Sequence, residues 1–152
     1  PGGGPGGPQA NDNGPARGPK RRECTTLLAM DSGTADKLRQ IAEKRKRAHA
    51  RLVALKSRVY GAFLEMEKAA YSDGALCKRQ KELIAVGISV VNNCESCMQW
   101  HIEQAAAAGA SFEELLEAIE VAIEMGGGPA TVSARFALDV LDSLNLRPAD
   151  PS

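Results

Sequence analysis

Aromatic residues are scarce in this chain, with one Trp, two Tyr and three Phe among 152 residues. A core built from such a sequence must be mostly aliphatic. Long hydrophobic runs are also missing, since the longest, residues 83–91, is far too short to cross a bilayer. Charge of one sign is not in excess, because 19 Lys and Arg balance 19 Asp and Glu. We therefore expect no membrane span, and the charge balance gives no basis for binding nucleic acid or an anionic membrane.

The chain divides into a tail and a helical region. Residues 1–31 are rich in Gly and Pro and predict a disordered N-terminal tail. No strand pattern is present, so the fold class is predicted to be all-α, with one helical domain over residues 32–146 and a short tail over residues 147–152. The predicted helices cover residues 35–71, 77–91, 94–108, 111–125 and 129–144. The first is unusually long, so we expect a break near residues 48–50, and Ser32 or Thr34 is the expected cap at its start.

The second predicted helix is apolar on nearly every side from Leu83 to Val91. A helix of that kind is central in its subunit or lies between subunits. One small subunit with few aromatic residues offers little surface to cover it. The sequence therefore predicts a homo-oligomer.

Cys94, Cys97 and His101 are the main chemical feature of the sequence. Offsets of three and four residues put all three side chains on one face of a helix. Cys94 lies at the helix start, where the positive end of the helix dipole favours a thiolate, and His101 can accept or deliver a proton. We expect the pair to cycle between dithiol and disulfide. This pattern favours an intracellular redox pair over a structural staple, and so a cytoplasmic location.

Glu82 precedes Cys94 at the polar edge of an otherwise apolar helix. If the turn at Asn92 and Asn93 folds the two helices together, Glu82 could approach His101. A carboxylate in that place would orient the imidazole and hold its proton, as the third member of a catalytic triad does.

Other interpretations of the same residues stay open at this point. Cys94, Cys97 and His101 could be three ligands of a zinc ion, or both cysteines could be inert small side chains of the core. Glu82 could be a surface carboxylate paired with Lys78 one turn earlier. His101 could be a partly buried histidine that only makes a hydrogen bond.

Taken in order, these motifs resemble the carboxymuconolactone decarboxylase-like superfamily, in particular its CxxC branch, the AhpD-like alkylhydroperoxidases. The likeness covers roughly residues 59–144. Its elements are Lys81-Glu82-Leu83-Ile84, Cys94-x-x-Cys97-x-x-x-His101, Ala108-Gly109-Ala110-Ser111, Glu113-Glu114 and Met125-Gly126-Gly127-Gly128-Pro129-Ala130. A well-known version of the motif has a further histidine between the cysteines, where this chain has Ser96.

The resemblance implies an AhpD-like helical bundle subunit that assembles as a trimer or hexamer. It also implies a peroxidase-type enzyme that needs no cofactor or metal. By analogy, Cys97 attacks a hydroperoxide and Cys94 resolves the product to a disulfide, while Glu82 and His101 form the proton relay. A thiol-disulfide reductant protein or small dithiol must then reduce the disulfide. The alternatives are a non-catalytic redox-sensing or partner-binding module of the same fold and, more remotely, a decarboxylase, since decarboxylase members lack this dithiol.

Overall fold

The structure, a computed structural model, describes Gly2 and residues 31–149. These residues form five helices and no strand, which confirms the predicted all-α class. The helices are α1 Ser32–Ala54, α2 Arg58–Ala70, α3 Lys78–Val91, α4 Glu95–Ala107 and α5 Phe112–Ser143. Apart from Gly2 and Asp31, the predicted N-terminal tail lies outside the described residues, as does its Cys24.

Helices α3, α4 and α5 pack against one another and form the body of the molecule, with α3 in contact with both others. This agrees with the first of the two places predicted for the helix, the centre of its subunit. The core between them is aliphatic, as the scarcity of aromatic residues requires. Its largest fully buried side chains are Met98, Ile102, Leu115, Ile119, Leu141, Val86, Val90 and Val140. Each such side chain contributes about 1.5–3 kcal/mol relative to an exposed one.

Helices α1 and α2 form an arm beside the body. Leu38 in the first half of α1 is buried in the core, whereas α2 has no buried residue and its backbone packs only against α1. The predicted break of the long N-terminal helix occurs, but the predicted place was wrong. The chain turns at Lys56, which has a left-handed φ of 52°, and the Ser57 side chain then caps α2 by accepting from the backbone N–H of Tyr60.

The cap of α1 also differs from the prediction. Asp31 fills that position, not Ser32 or Thr34, because its carboxylate accepts both the backbone N–H of Thr34 at 2.9 Å and the Thr34 hydroxyl at 2.8 Å. A carboxylate at a helix N-terminus also faces the positive end of the helix dipole.

The two helices predicted on either side of the glycine triplet are present as the two halves of α5, which meet at a kink in the triplet. Its start is the predicted capping box, in which Ser111 and Glu114 satisfy each other's backbone N–H groups. The backbone leaves helical geometry only at Gly127, where φ is 61° and ψ is −146°. Gly126 lies against Val91 at the end of α3, and a Cβ there would come 2.7 Å from the Cβ of Ala130. Gly126 is therefore required by the bend of α5 itself, because a side chain there would collide with Ala130 of the next turn, while its contact with Val91 of α3 would be an ordinary 3.4 Å.

None of the helices among the described residues has the length and apolar character that a membrane span requires.

Candidate redox site

The turn between α3 and α4 places the two cysteines. Asn93 has a left-handed φ of 49°, and the Cys94 N–H then donates to the Ser89 carbonyl at 3.0 Å. The Asn93 side chain accepts a hydrogen bond from the Ser133 hydroxyl of α5, also at 3.0 Å. The turn is thus fixed to both neighbouring helices, and Cys94 becomes the residue that caps α4.

Cys94 and Cys97 are joined as a disulfide, with their Cα atoms 5.2 Å apart. This confirms the predicted pairing. The backbone N–H of Cys97 points at the Cys94 sulfur, at 3.3 Å, as expected of a side chain that caps a helix. Both cysteines are half-buried, whereas Cys77 is a free and exposed thiol at the start of α3.

Glu82 and His101 meet, as the sequence predicted. The distance between Glu82 Oε2 and His101 Nδ1 is 2.8 Å. Glu82 is only 2% exposed, so the alternative of a surface carboxylate paired with Lys78 is wrong. Lys78 instead donates to Gln104 at 3.4 Å. A buried carboxylate is costly without a partner, and the imidazole provides one.

The geometry at His101 pairs Nδ1 with the Glu82 carboxyl group and leaves Nε2 outside that hydrogen bond. When Nδ1 donates its proton to the Glu82 carboxylate, a neutral imidazole keeps Nε2 as its basic nitrogen. Within residues 31–149 the oxidised pair makes no hydrogen bond to His101: the only one formed by a Cys94 or Cys97 side chain is that between the Cys97 N–H and the Cys94 sulfur. The structure therefore brings together the acid and the base, and separately the two sulfurs, and the spacing of Cys94, Cys97 and His101 places these three on one face of α4.

Tyr71 belongs to this site, and sequence reasoning missed it. Its ring stacks on the His101 imidazole with centroids 5.5 Å apart and planes at 26°. Burial raises the pKa of the Tyr71 phenol, and the negative charges of Glu82 and Glu67 raise it further. The phenol therefore stays protonated at neutral pH. No local pattern marks Tyr71, because the contact depends on how the chain returns from α2 to α3.

An open cavity of about 220 Å³ adjoins this cluster between α2, α3 and α4. Its wall combines the buried acid with aromatic and charged side chains. The residues are Leu64, Glu67, Lys68, Tyr71, Lys78, Glu82, Trp100 and Gln104.

No cluster of zinc ligands is present in the part of the chain that the structure describes. Across residues 31–149 no three His, Cys, Asp or Glu side chains converge in a way that could hold a metal ion.

The fold and the site define a class of helical bundle proteins. Members of this class carry a CxxC disulfide at the start of one core helix and a buried Glu–His pair. The chain belongs to the carboxymuconolactone decarboxylase family, whose family model matches residues 57–139. Its Cys94–Cys97 pair fits the AhpD-like branch of that family.

Relatives and solved structures agree with this assignment. An uncharacterized protein of the cox locus of Paracoccus denitrificans is 45% identical over 84 residues, which cover 55% of this chain and 76% of the relative. An uncharacterized protein of Cupriavidus necator is 44% identical over 84 residues, covering 55% of this chain and 74% of its own length.

Two solved structures share the fold. The apo form of a carboxymuconolactone decarboxylase family protein from Legionella pneumophila superposes with a TM-score of 0.68 at 33% identity, over 71% of this chain and 96% of that one. A Thermotoga maritima protein of the same family, for which involvement in an antioxidative response has been suggested, gives a TM-score of 0.64 at 29% identity, over 70% and 90% of the two chains.

Proposed function

We propose that this protein is a thiol peroxidase or disulfide oxidoreductase that reduces hydroperoxides through Cys94 and Cys97. The observation that carries the proposal is the buried hydrogen bond between Glu82 of α3 and His101 of α4. By its spacing, His101 lies on the same face of α4 as the disulfide pair. A titratable acid and base held together beside two reactive sulfurs are typical of functional sites. The antioxidative role suggested for the Thermotoga maritima relative points in the same direction.

The proposed cycle has three balanced steps. The Cys97 thiolate attacks the terminal oxygen of ROOH, the O–O bond breaks, and Cys97 becomes a sulfenic acid while an alkoxide leaves and takes up a proton. The Cys94 thiolate then attacks the Cys97 sulfur, forming the disulfide and releasing hydroxide, which is protonated to water. An external dithiol reduces the disulfide and is itself oxidised to a disulfide.

Glu82 and His101 supply the proton transfers in this proposal. Nε2 of His101 takes the proton of a cysteine thiol and returns it to the leaving alkoxide. Glu82 holds Nδ1–H and stabilises the imidazolium that forms in between. The start of α4 adds the positive end of the helix dipole, which favours thiolates at Cys94 and Cys97.

The test is peroxide consumption with an excess of small dithiol. We expect Cys97→Ser to abolish turnover and Cys94→Ser to stop it after the sulfenic acid has formed. Cys77→Ser is the matched control, because Cys77 is also a cysteine at a helix start but lies outside the site, and serine can cap a helix equally well. Turnover that survives in Cys97→Ser would refute the proposal.

A second candidate is a redox-sensing or partner-binding module with the same disulfide. It is favoured by the outer side of α2, where Val59, Phe63 and Met66 are exposed at helical spacing. Such a module would form the Cys94–Cys97 disulfide reversibly but would not consume peroxide catalytically. The same assay separates the two functions.

We also propose that the protein is a homo-oligomer, a trimer or hexamer. Apolar side chains remain exposed on two neighbouring helices of the body, namely Ile84, Ile88 and Val91 on α3 and Val121, Met125 and Val132 on α5. An exposed apolar set of this kind is typical of subunit interfaces. Light scattering at micromolar concentration should give a stable oligomer, and Ile88→Lys should dissociate it. A monomeric wild-type protein would contradict the proposal.

The proposed location is the cytoplasm, because the cycle requires a reductant that keeps returning the disulfide to the dithiol. Cell fractionation with an antibody to the full chain tests this.

A further inference from the structure

The arm leaves open space beside the redox turn. Along the inner side of α2 and the residue that follows it, the half-buried positions are Tyr60, Leu64, Glu67 and Tyr71. Tyr71 reaches α4 by stacking on His101, whereas the backbone of α2 contacts only α1. Besides the cavity next to Glu82, a larger cavity of about 490 Å³ lies between α1, Tyr60 of α2 and the start of α4.

The larger cavity combines apolar walls with positive charge. Its apolar surface comes from Ile41, Leu52 and Tyr60, and its cations from Lys44 and Arg45, with His49 beside them. A volume of this size is ordinary for a site that binds a small organic molecule. The mixed lining fits a molecule with an apolar chain and an anionic end.

The charges around the cavity leave Lys44 available. Arg45 is held by Glu103 at 3.3 Å, and the carboxylate of Glu95 is already paired with Lys37 at 2.6 Å. Lys44 makes no ion pair within residues 31–149. An anion that enters the cavity therefore meets an uncompensated ammonium group, and the acidic residue on the wall is neutralised in advance.

The cavity also reaches the reactive turn. Glu95 and Ser96, the two residues between the cysteines, close one side of it. Ser96 immediately precedes Cys97, so the cavity wall ends one residue before the attacking cysteine, about 1.5 Å along the axis of α4. We propose that this cavity binds the carboxylate and part of the chain of a long-chain carboxylic acid hydroperoxide, and that this class of molecule is the preferred substrate. The substrate class rests on the proposed peroxidase function, whereas the binding site does not.

Binding can be measured without turnover. Trp100 is the only tryptophan of the chain, and the guanidinium of Arg45, a cavity residue, lies 4.9 Å from its ring centroid. Laurate, which carries no peroxide, should therefore change the Trp100 fluorescence of the disulfide form saturably. We expect methyl laurate to bind about tenfold more weakly, the scale of one lost charge-assisted contact. Lys44→Gln should weaken laurate binding by a similar factor. Lys46→Gln is the matched control, since Lys46 is exposed on the same helix but does not line the cavity.

Turnover measurements form the second part of the test. The ratio of kcat/KM for linoleic acid hydroperoxide to that for its methyl ester should be about ten in the wild type and in Lys46→Gln, and should approach one in Lys44→Gln. Peroxide consumption with a ratio near one in the wild type would overturn the substrate class and leave the peroxidase function standing. Lys44-dependent laurate binding without any peroxide consumption would support the site and overturn the peroxidase function. Laurate binding that is equal in Lys44→Gln and wild type would overturn the site.

Discussion

The body and the arm of this molecule are held together in different ways. In the body, α3, α4 and α5 bury a continuous aliphatic core, and the cysteine turn is fixed by a backbone hydrogen bond to Ser89 and by the hydrogen bond from Ser133 to Asn93. In the arm, α2 buries no residue, and this part of the chain meets the body through individual contacts, such as the stacking of Tyr71, the residue after α2, on His101. The body therefore fixes the positions of the sulfurs and the proton carriers, while the arm leaves room beside them for a ligand.

The largest effect should come from the core of the body. Ile102→Ala removes a fully buried side chain of α4 and should lower the free energy of unfolding by about 2–5 kcal/mol. Met66→Ala removes a side chain of α2 that is 62% exposed and should change the free energy of unfolding by less than about 0.5 kcal/mol. Denaturant unfolding of both variants checks this. Equal losses would mean that α2 is packed as tightly as the body, for example in an oligomer.

The next largest effect concerns the proton carriers of the body. Glu82→Gln and His101→Ala should each slow peroxide turnover by about 10²-fold or more, the usual scale for a lost general base. Because the two residues act as a unit, the double variant should be little worse than the worse single one. Steady-state rates of all four proteins measure this. Multiplicative losses in the double variant would show that Glu82 and His101 act independently.

A smaller effect is expected where the arm touches the site. Tyr71 is a positioning residue in this proposal, because its ring holds the imidazole in plane for Glu82. Tyr71→Leu should lower kcat by roughly 2-fold to 13-fold, which corresponds to the roughly 0.5–1.5 kcal/mol of an aromatic pair, with little change in KM. Tyr71→Phe keeps the ring and should stay within about twofold of wild type. If Tyr71→Phe and Tyr71→Leu lose activity equally, the Tyr71 hydroxyl is the group that matters and the ring is not.

The smallest effect lies at the junction of arm and body. Burial raises the pKa of Asp139 on α5, and the charges of Asp142 and Asp31 raise it further, while Lys37 on α1 lowers it. A carboxyl whose folded pKa is raised binds more protons in the folded state, so stability falls as pH rises from the ordinary value of 3.8 through the raised one. Asp139→Asn should therefore stabilise the protein at pH 7, by about 0.5 kcal/mol or less at this partly exposed site, and lose that advantage near pH 3. Unfolding curves of both proteins at both pH values test this prediction. An equal change in the free energy of unfolding at both pH values would show that ionisation of Asp139 is not the cause.

The sequence predicted the body far better than the arm, and the reason is physical. Ser111 with Glu114, the CxxC spacing and the apolar periodicity of α3 are local signals that the packed core reinforces. The break at Lys56 is different, since a lysine in left-handed conformation carries no local signature, and only the capping preference of Ser57 could have indicated it.

The site shows the same division. Glu82 could be paired with His101 because one short turn joins their helices. Tyr71 could not, because its contact depends on the path of the chain between α2 and α3, which has no periodicity. Likewise, the cavity between α1 and the start of α4 depends on how far the arm stands from α4, a distance that no spacing of residues specifies.

The most direct test of the central claim is one round of oxidation of the fully reduced protein. One equivalent of hydroperoxide is added, the remaining thiols are counted, and the oxidised peptides are mapped by mass spectrometry. We expect one peroxide to be consumed for each Cys94–Cys97 disulfide formed, with Cys24 and Cys77 still free. Oxidation of Cys24 or Cys77 while Cys94 and Cys97 remain thiols would contradict the proposed function.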